Sequence, residues 1–265
     1  MSDASVVADL HVHTTASDGT LALEDVIAVA SANDLDAIAI TDHDRIHPEL
    51  PEPITKQNGL TVIRGIEIKT MCPSGNHVDV LGYGVRSTPA LETLTERIQT
   101  DRRERARRMC ESLETHLNLQ LDLAIRPGIG RPHIARAVAE QTDMSVQAVF
   151  DELIGDERPC HISRDIPDIA NVSSVLSEAA DLVALAHPLR YDDVNEAIAI
   201  ATSLGAIERW YPYAGTVDTA QIDTAIARHG LVATGGSDAH SDEIGSTGLE
   251  EAAYATFAET IQDTA

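Results

Sequence analysis

Short apolar runs alternate with longer amphipathic segments along most of this 265-residue chain, and this alternation restricts the fold more than any other feature. Short runs of this kind are typical of buried strands, whereas apolar residues at helical spacing predict helices. Parallel strands need long connections, so seven strands separated by helices favour an α/β barrel. The predicted strands are residues 6–12, 37–41, 60–68, 78–83, 182–186, 206–210 and 231–235. The predicted helices between them lie near residues 24–33, 172–180, 193–203 and 216–229.

Residues 88–164 depart from this alternation, because almost the whole segment is predicted to be helical. Its predicted helices lie near residues 91–117, 131–141 and 145–154, and Pro132 stands at a helix-start position. We therefore predict a distorted (β/α)7-type barrel over residues 1–87 and 165–265, with a helical insertion over residues 88–164. The basic run 102–108 is interpreted either as a solvated helix face or as a local patch that attracts an anionic substrate.

Histidine and carboxylate side chains recur at the ends of the predicted strands. They are His11 and His13 on the first strand, Asp18 in the following loop, His43 after the second strand, Glu67 on the third, His77 at the start of the fourth, His187 after a later strand, and Asp238 and His240 after the last. Alternate residues of a strand point to the same side, so His11 and His13 can bind one ion together. Residues just past the carboxyl ends of barrel strands converge on one mouth. His77 reaches that mouth only if its strand runs antiparallel or the preceding loop folds inward.

This recurrence predicts a metal site. A lone histidine is more often a core or surface residue, but ligand-competent residues at five separate strand ends are hard to reach by chance. Nitrogen and oxygen ligands without thiolate suit Mn²⁺, Zn²⁺ or Fe²⁺, and the spacing does not distinguish these ions. The three cysteines, Cys72, Cys110 and Cys160, form no Cys-x-x-Cys pair, so neither a thiolate zinc site nor a disulfide framework is predicted.

The charge of the chain is strongly acidic, with 43 Asp and Glu against 19 Lys and Arg and a formal net charge of −24. Lys56 and Lys69 are the only lysines, so 17 of the 19 basic residues are arginine. A surface of this kind stays hydrated in concentrated salt, which favours a halophilic source over an acidic protein of ordinary cytoplasm. The same charge argues against sequence-independent binding to duplex DNA.

The motifs at the strand ends resemble those of the PHP (polymerase and histidinol phosphatase) superfamily of metal-dependent phosphoesterases. The resemblance rests on H-x-H at 11–13, S-D-G-T at 17–20, T-D-H-D at 41–44, G-x-E at 65–67 and G-S-D-A-H at 236–240, and it covers residues 6–85 and 182–240. Gly130-Arg131-Pro132-His133 in the insertion resembles the group that removes phosphate from small nucleotides, including 3′,5′-bisphosphates.

The resemblance implies a site for up to three divalent ions. His11, His13, Glu67 and Asp238 would hold the first ion, Glu67 would bridge to a second ion held by His77 and His187, and Asp18, His43 and His240 would hold a third. Glu67, Asp238 and His240 are the predicted catalytic residues. Asp9, Asp42 and Asp44 are expected either to orient the ligating imidazoles or to cap the strand ends.

The predicted reaction is hydrolysis of phosphomonoesters of small nucleotide-like substrates, such as a nucleoside 3′,5′-bisphosphate, by a metal-bridging hydroxide. Arg131, His133 and Arg164 are the predicted substrate-binding residues, with Arg131 binding phosphate oxygens bidentately. The alternative interpretation of Arg164 is an ordinary surface arginine. The insertion is expected to lie over the mouth of the barrel, where it would favour a compact substrate.

Two other functions remain open from the sequence. The same site could serve an exonuclease acting on RNA or DNA ends, although the acidic chain weighs against this. The chain could instead be a non-catalytic metal-binding regulatory domain, although such a domain would be expected to lose ligands. The N-terminus has no basic segment before a long apolar stretch, and no apolar run approaches about 18 residues. A cytoplasmic protein without a membrane partner is therefore predicted, and its oligomeric state is not.

The acidic excess predicts that the protein becomes more stable as salt rises. In dilute buffer the negative charges repel one another, whereas at 0.1 M ionic strength the screening length falls to about 10 Å. Thermal unfolding midpoints measured at increasing KCl, with the metal concentration constant, should rise. A midpoint that is flat or falls between low and molar salt would contradict the halophilic interpretation.

Overall fold

The computed structural model describes residues 5–261, and the chain divides into two compact units. Unit 1 contains the described residues up to Glu92 and those from Pro167 onward, whereas unit 2 is Thr93–Ile166. Each unit has its own cluster of buried apolar side chains. The two are described in turn.

Unit 1 is built on a mixed β-sheet that contains eight strands among the described residues. They are β1 (Ala8–Val12), β2 (Ala37–Ile40), β3 (Ile54–Gln57), β4 (Leu60–Met71), β5 (His77–Tyr83), β6 (Leu182–Leu185), β7 (Gly205–Trp210) and β8 (Val232–Gly235). The order across the sheet is β1-β2-β4-β5-β6-β7-β8, and β3 pairs with β4 beside this path. β5 is antiparallel to both neighbours, whereas β1, β2 and β4 form one parallel set and β6, β7 and β8 another.

The sheet curls until its first and last strands approach each other. Val12, the last residue of β1, forms a parallel bridge with Ala239, which lies just beyond β8, and the His13 backbone N–H donates to the Ala239 carbonyl at 2.9 Å. Gly236 permits this approach, because a Cβ atom there would overlap the His11 backbone nitrogen and lie 2.5 Å from the His11 Cβ. The predicted distorted α/β barrel is confirmed.

The interior of the curled sheet is filled mainly by alanines and a few large side chains. Leu10, Ile63, Leu81 and Tyr83 are buried there, and the Tyr83 ring packs edge-on against Phe257 with centroids 5.3 Å apart. Small side chains let the opposite walls approach closely, as expected for a narrow barrel interior. On the outer faces, apolar stripes of amphipathic helices cover the strands.

The helices of unit 1 are α1 (Leu23–Ala32), the first residues of α2 (Pro89–Leu117), α5 (Ile169–Ala179), α6 (Val194–Leu204), α7 (Ala220–His229) and α8 (Glu251–Ala258). Asp168 caps α5 and Asp193 caps α6, each accepting a backbone N–H of the first turn. Gly205 ends α6 in a left-handed conformation with φ 96°. Among residues 5–261, no helix combines the length and the apolar character needed to cross a bilayer.

Unit 2 consists of the remainder of α2 together with α3 (Arg131–Gln141), α4 (Val146–Val149) and a π-helical turn over Phe150–Ile154. Its core contains Met109 and Leu113 from α2, Ile134 and Val138 from α3, and Val149 from α4. Ser145 caps α4 by accepting the Ala148 backbone N–H at 3.1 Å. The helix predicted near residues 145–154 is therefore α-helical only in its first half.

Gly236→Ala should destabilise unit 1, because the added methyl group meets backbone of β1 rather than a side chain that can move. Overpacking of this kind costs about 1–3 kcal/mol. Urea unfolding should show a lower midpoint for this variant. Gly130→Ala is the matched control, since its nearest new contacts are side-chain atoms at 3.3 and 3.4 Å. Equal midpoints for the two variants would show that the β1–β8 approach tolerates a side chain.

Candidate metal centre

Nine histidine and carboxylate side chains of unit 1 gather where the parallel strands end. They form three groups whose ligand atoms lie within 4.8 Å of one another: His13, Asp18, His43 and His240; His11, His13 and Asp238; and Glu67, Asp79 and His187. His11 and His13 come from β1 and its end, whereas His187 and Asp238 follow β6 and β8. The sequence brings them together because the carboxyl ends of parallel strands meet at one edge of the sheet.

Glu67 is the residue that contacts all three groups. Its carboxylate is buried, with Oε1 3.3 Å from His187 Nε2 and 3.5 Å from His11 Nε2. Its Oε2 lies 3.4 Å from His13 Nε2 and 2.8 Å from His43 Nδ1. A single carboxylate thus lies among four imidazoles that come from three strand ends. Such an oxygen pair can bridge two ions.

The donor set fits divalent metal ions. The Nε2 atoms of His11 and His13 are buried and form no hydrogen bond within residues 5–261. They lie 3.1–3.5 Å from carboxylate oxygens of Glu67 and Asp238. Two ligands that each lie about 2.1 Å from one ion are separated by about 3.0–3.5 Å, so these nitrogens and oxygens are already spaced as ligands. All donors are nitrogen or oxygen, as Mn²⁺, Fe²⁺ and Zn²⁺ accept.

The carboxylates of the centre are kept ionised by the rings around them. Burial alone would raise the pKa of Glu67, but the imidazoles of His43 and His11 hold that pKa well below its usual range. Burial likewise opposes ionisation of Asp18, and His43 and His240 more than offset it, so its pKa is well below normal. Ionised carboxylates are the form that binds metal. A divalent cation can therefore replace imidazole protons as the positive partner.

The structure places Asp79, and not His77, beside His187. His77 begins β5 opposite Met71 and is exposed, whereas Asp79 is buried with its Oδ2 3.8 Å from His187 Nε2. β5 is antiparallel to β4, so residues near the start of β5 lie at the same edge of the sheet as the carboxyl ends of the parallel strands. The β4–β5 hairpin extends past the cluster, however, and two residues of a strand span about 6.6 Å. The structure therefore does not place the predicted ligand His77 with the other ligands. Its register in the β4–β5 hairpin lies too far from His187.

Asp9 and Asp42 hold loops rather than imidazole rings. Asp42 accepts the backbone N–H and hydroxyl of both Thr14 and Ser17, in the loop that carries Asp18. Asp9 accepts the Ser237 backbone N–H at 2.9 Å and its hydroxyl, next to Asp238. These buried carboxylates fix the loops after β1 and β8, and so fix the ligands on them. Of the two roles expected for Asp9 and Asp42, their hydrogen bonds correspond to capping of the strand ends rather than to orientation of imidazoles.

Glu208 is a residue of the centre that the sequence interpretation missed. It lies on β7, is fully buried, and places Oε1 2.9 Å from His11 Nδ1. Its Oε2 accepts the His187 backbone N–H at 2.6 Å. A glutamate within a short, largely apolar strand could have indicated a site residue in the sequence, because a buried charge needs a partner.

Arg190 and Tyr211 line the same centre and were also missed. The Tyr211 hydroxyl donates to Asp238 Oδ2 at 3.0 Å and accepts from Arg190 Nη1 at 2.9 Å. The guanidinium lies 5.8 Å from the centre of the Tyr211 ring and remains half exposed, with Nη1 3.8 Å from Asp238 Oδ2. An arginine held in this way is available to an anion that approaches Asp238.

The predicted substrate-binding residues Arg131, His133 and Arg164 all lie in unit 2. Arg131 Nη1 pairs with Asp156 at 3.0 Å, and its guanidinium lies 5.9 Å from the centre of the Phe150 ring. His133 Nδ1 accepts the Gly130 backbone N–H at 3.1 Å, which closes the first turn of α3. Arg131 therefore stands at the start of a helix, where free N–H groups favour anions.

Unit 2 also concentrates positive charge around Arg105. Its guanidinium Nε donates to the Ile162 carbonyl at 2.6 Å. Burial, followed by the charges of Arg131, Arg164 and Arg102, lowers the pKa of Arg105 to about 10. Three guanidinium groups therefore act on Arg105 electrostatically, and Asp101 opposes them. The basic run of α2 therefore includes buried side chains as well as solvated ones.

Residues 9–155 match the PHP domain family, and the chain belongs to this family. With its ligand cluster, it is a metal-dependent phosphoesterase. A phosphoribosyl 1,2-cyclic phosphate 1,2-diphosphodiesterase of Eggerthella lenta is 28% identical, over 89% of this chain and 94% of the relative. A 3′,5′-nucleoside bisphosphate phosphatase of Chromobacterium violaceum is 29% identical, over 88% of this chain and 87% of the relative.

This chain is also similar to an exoribonuclease and to a solved structure. A 5′-3′ exoribonuclease of Salmonella typhimurium is 31% identical over 71% of this chain and 67% of the relative. The solved structure of an amidohydrolase from Chromobacterium violaceum, with bound sulfate and no metal, superposes with a TM-score of 0.81 at 25% identity. That superposition covers 98% of both chains. The fold is therefore shared along nearly the whole length.

Glu67→Ala should be the most damaging single ligand change, because it removes the carboxylate that contacts members of all three groups. We expect metal content to fall and turnover of an aryl phosphate with added Mn²⁺ to drop by several orders of magnitude. Elemental analysis and initial rates measure both effects. Glu178→Ala, on the exposed side of α5, is the control and should match wild type. Near-normal metal content and rate in Glu67→Ala would remove Glu67 from the centre.

Proposed function

We propose that this chain hydrolyses phosphomonoesters of small nucleotide-like molecules, such as a nucleoside 3′,5′-bisphosphate. The observation that carries the proposal is the buried Glu67 carboxylate, whose oxygens lie 2.8–3.5 Å from nitrogens of four imidazoles. Up to three divalent ions, of manganese, zinc or iron, would be held by these groups. In this proposal Asp79 takes the place assigned to His77 in the set of ligands.

In the proposed reaction, some side chains bind the metal ions and others bind the phosphate. Divalent ions held by these ligands would lower the pKa of a bound water and polarise phosphoryl oxygens. Glu67, Asp238 and His240 hold their oxygen and nitrogen atoms in fixed positions around the reacting phosphate. Arg190, half exposed beside Asp238, supplies a guanidinium that binds the non-bridging oxygens as negative charge develops on them. Tyr211 keeps that guanidinium in place through its hydroxyl.

Unit 2 supports the proposal that the substrate carries a second phosphate. Arg131, Arg164 and Arg102 lie close enough to Arg105 for their charges to lower its pKa, after the larger effect of burial. A phosphate dianion would offset these positive charges, and Arg131 and His133 stand at the start of α3. A relative named 3′,5′-nucleoside bisphosphate phosphatase agrees with such a substrate.

An exoribonuclease is the second candidate, because a relative with that name is 31% identical to this chain. The same metal ligands can hydrolyse a phosphodiester at an RNA end. The formal charge of −24 opposes binding of a long polyanion outside the local arginine cluster. We therefore favour a compact substrate with few phosphates.

Arg131→Ala should selectively reduce the preference for a bisphosphate. Wild type should hydrolyse a nucleoside 3′,5′-bisphosphate with a higher kcat/KM than the corresponding monophosphate, because the second phosphate gains charge-assisted hydrogen bonds. The variant should lose about tenfold or more of this ratio while keeping its metal content. Arg108→Ala, which removes an exposed arginine of α2, is the matched control and should retain the preference.

Two outcomes would change the assignment. An equal loss of kcat/KM on both substrates would mean that Arg131 binds the reacting phosphate. If long RNA oligomers are hydrolysed more efficiently than both mononucleotides, the exoribonuclease interpretation replaces the first.

A further inference from the structure

Glu208 contacts two candidate metal ligands that belong to different groups. Its Oε1 lies 2.9 Å from His11 Nδ1, and its Oε2 accepts the His187 backbone N–H at 2.6 Å. His11 belongs to the group with His13 and Asp238, whereas His187 belongs to the group with Glu67. Glu208 itself is in none of the three groups, and it is fully buried on β7. One side chain therefore supports two parts of the centre without being a ligand.

The contact with His11 determines which ring nitrogen carries the proton. A carboxylate accepts hydrogen bonds, and a neutral imidazole has one N–H, so Nδ1 bears the proton and donates to Glu208. The Nε2 lone pair is then free, and it points towards Asp238 Oδ1 at 3.3 Å and Glu67 Oε1 at 3.5 Å. This is the tautomer that can bind a metal ion through Nε2.

The contact with His187 fixes a backbone conformation that is unfavourable for a residue with a side chain. His187 has φ 29° and ψ 59°, in the left-handed region. In this conformation its ring places Nε2 3.3 Å from Glu67 Oε1 and Nδ1 3.2 Å from the Tyr191 hydroxyl. The Glu208 carboxylate holds the amide of that residue, and through it the position of the ring.

We propose that Glu208 is a positioning residue that presets the tautomer of His11 and the backbone of His187, and thereby supports ion binding in two groups together. The proposal rests on the metal centre of the proposed function and assigns a role to a residue of the centre that is in none of the three ligand groups. Because each oxygen accepts from a different partner, both oxygens of a carboxylate are required. An amide of the same shape offers one acceptor and one donor, so it cannot satisfy both partners.

Glu208→Gln tests this requirement with almost no change in volume. If the amide oxygen keeps the His187 N–H, the amide NH₂ faces His11 and moves the ring proton to Nε2, which blocks the metal-binding nitrogen. If the amide instead adopts the flipped orientation, its NH₂ group faces the His187 N–H, and two donors cannot form a hydrogen bond. Isothermal titration of the metal-free full chain with Mn²⁺ should therefore show affinity reduced about 10–100-fold, as for other residues that orient ligands. Glu178→Gln removes an equal charge at an exposed position and should bind as wild type does.

A second measurement does not depend on the variant. In wild-type protein labelled with ¹⁵N-histidine and loaded with Zn²⁺, His11 should show an Nδ1–H proton protected from exchange. Detection of the Nε2–H form instead, or Glu208→Gln with unchanged Mn²⁺ affinity, would overturn the proposal while leaving the phosphoesterase assignment intact. Wild-type protein that binds no Mn²⁺ would overturn the metal centre itself, and this proposal with it. If Glu208→Gln does not fold, the wild-type tautomer alone decides.

Discussion

The buried carboxylate of Glu67 is the constraint on which the arrangement of unit 1 depends. An isolated charge in the interior is strongly destabilising, and removing its partners costs more than the pair contributes. His11, His13, His43 and His187 supply those partners from three strand ends, so the strands must bring their ends to one place. Asp9 and Asp42 then secure the loops after β8 and β1 against the same region. Bound cations would neutralise the remaining negative charge of the buried carboxylates.

Much of this centre could be predicted from the sequence, because the ligands occur at positions that local patterns define. His11 and His13 are two residues apart on a strand, and the apolar run before Asp238 marks another strand end. The seven strands were predicted from the pattern of apolar residues, and the start of α3 at Arg131 was predicted from helix-start signals. The class of enzyme, a metal-dependent phosphoesterase, was predicted from several motifs in their order along the chain rather than from any single motif.

The parts that could not be predicted depend on tertiary contacts. Whether His77 or Asp79 reaches His187 is decided by how far the β4–β5 hairpin extends, and nothing local specifies that length. Glu208 and Arg190 contact residues distant in the chain, so their partners could not be read from spacing. The short strand β3 and helix α8 were missed as well, because β3 carries polar residues and α8 has a weakly amphipathic sequence.

The approach of β1 to the segment after β8 also affects the order in which the molecule forms during synthesis. Asp9 and Ser237, which hydrogen-bond across this approach, are separated by 228 positions in the chain. Thr93–Ile166, in contrast, is a continuous segment whose helices make contacts over short separations, and such contacts form early. A ribosome releases the helical unit long before it releases Asp238, the third member of the group around His11 and His13. The group that contains the metal ligands of the first strand therefore stays incomplete until synthesis has reached Asp238.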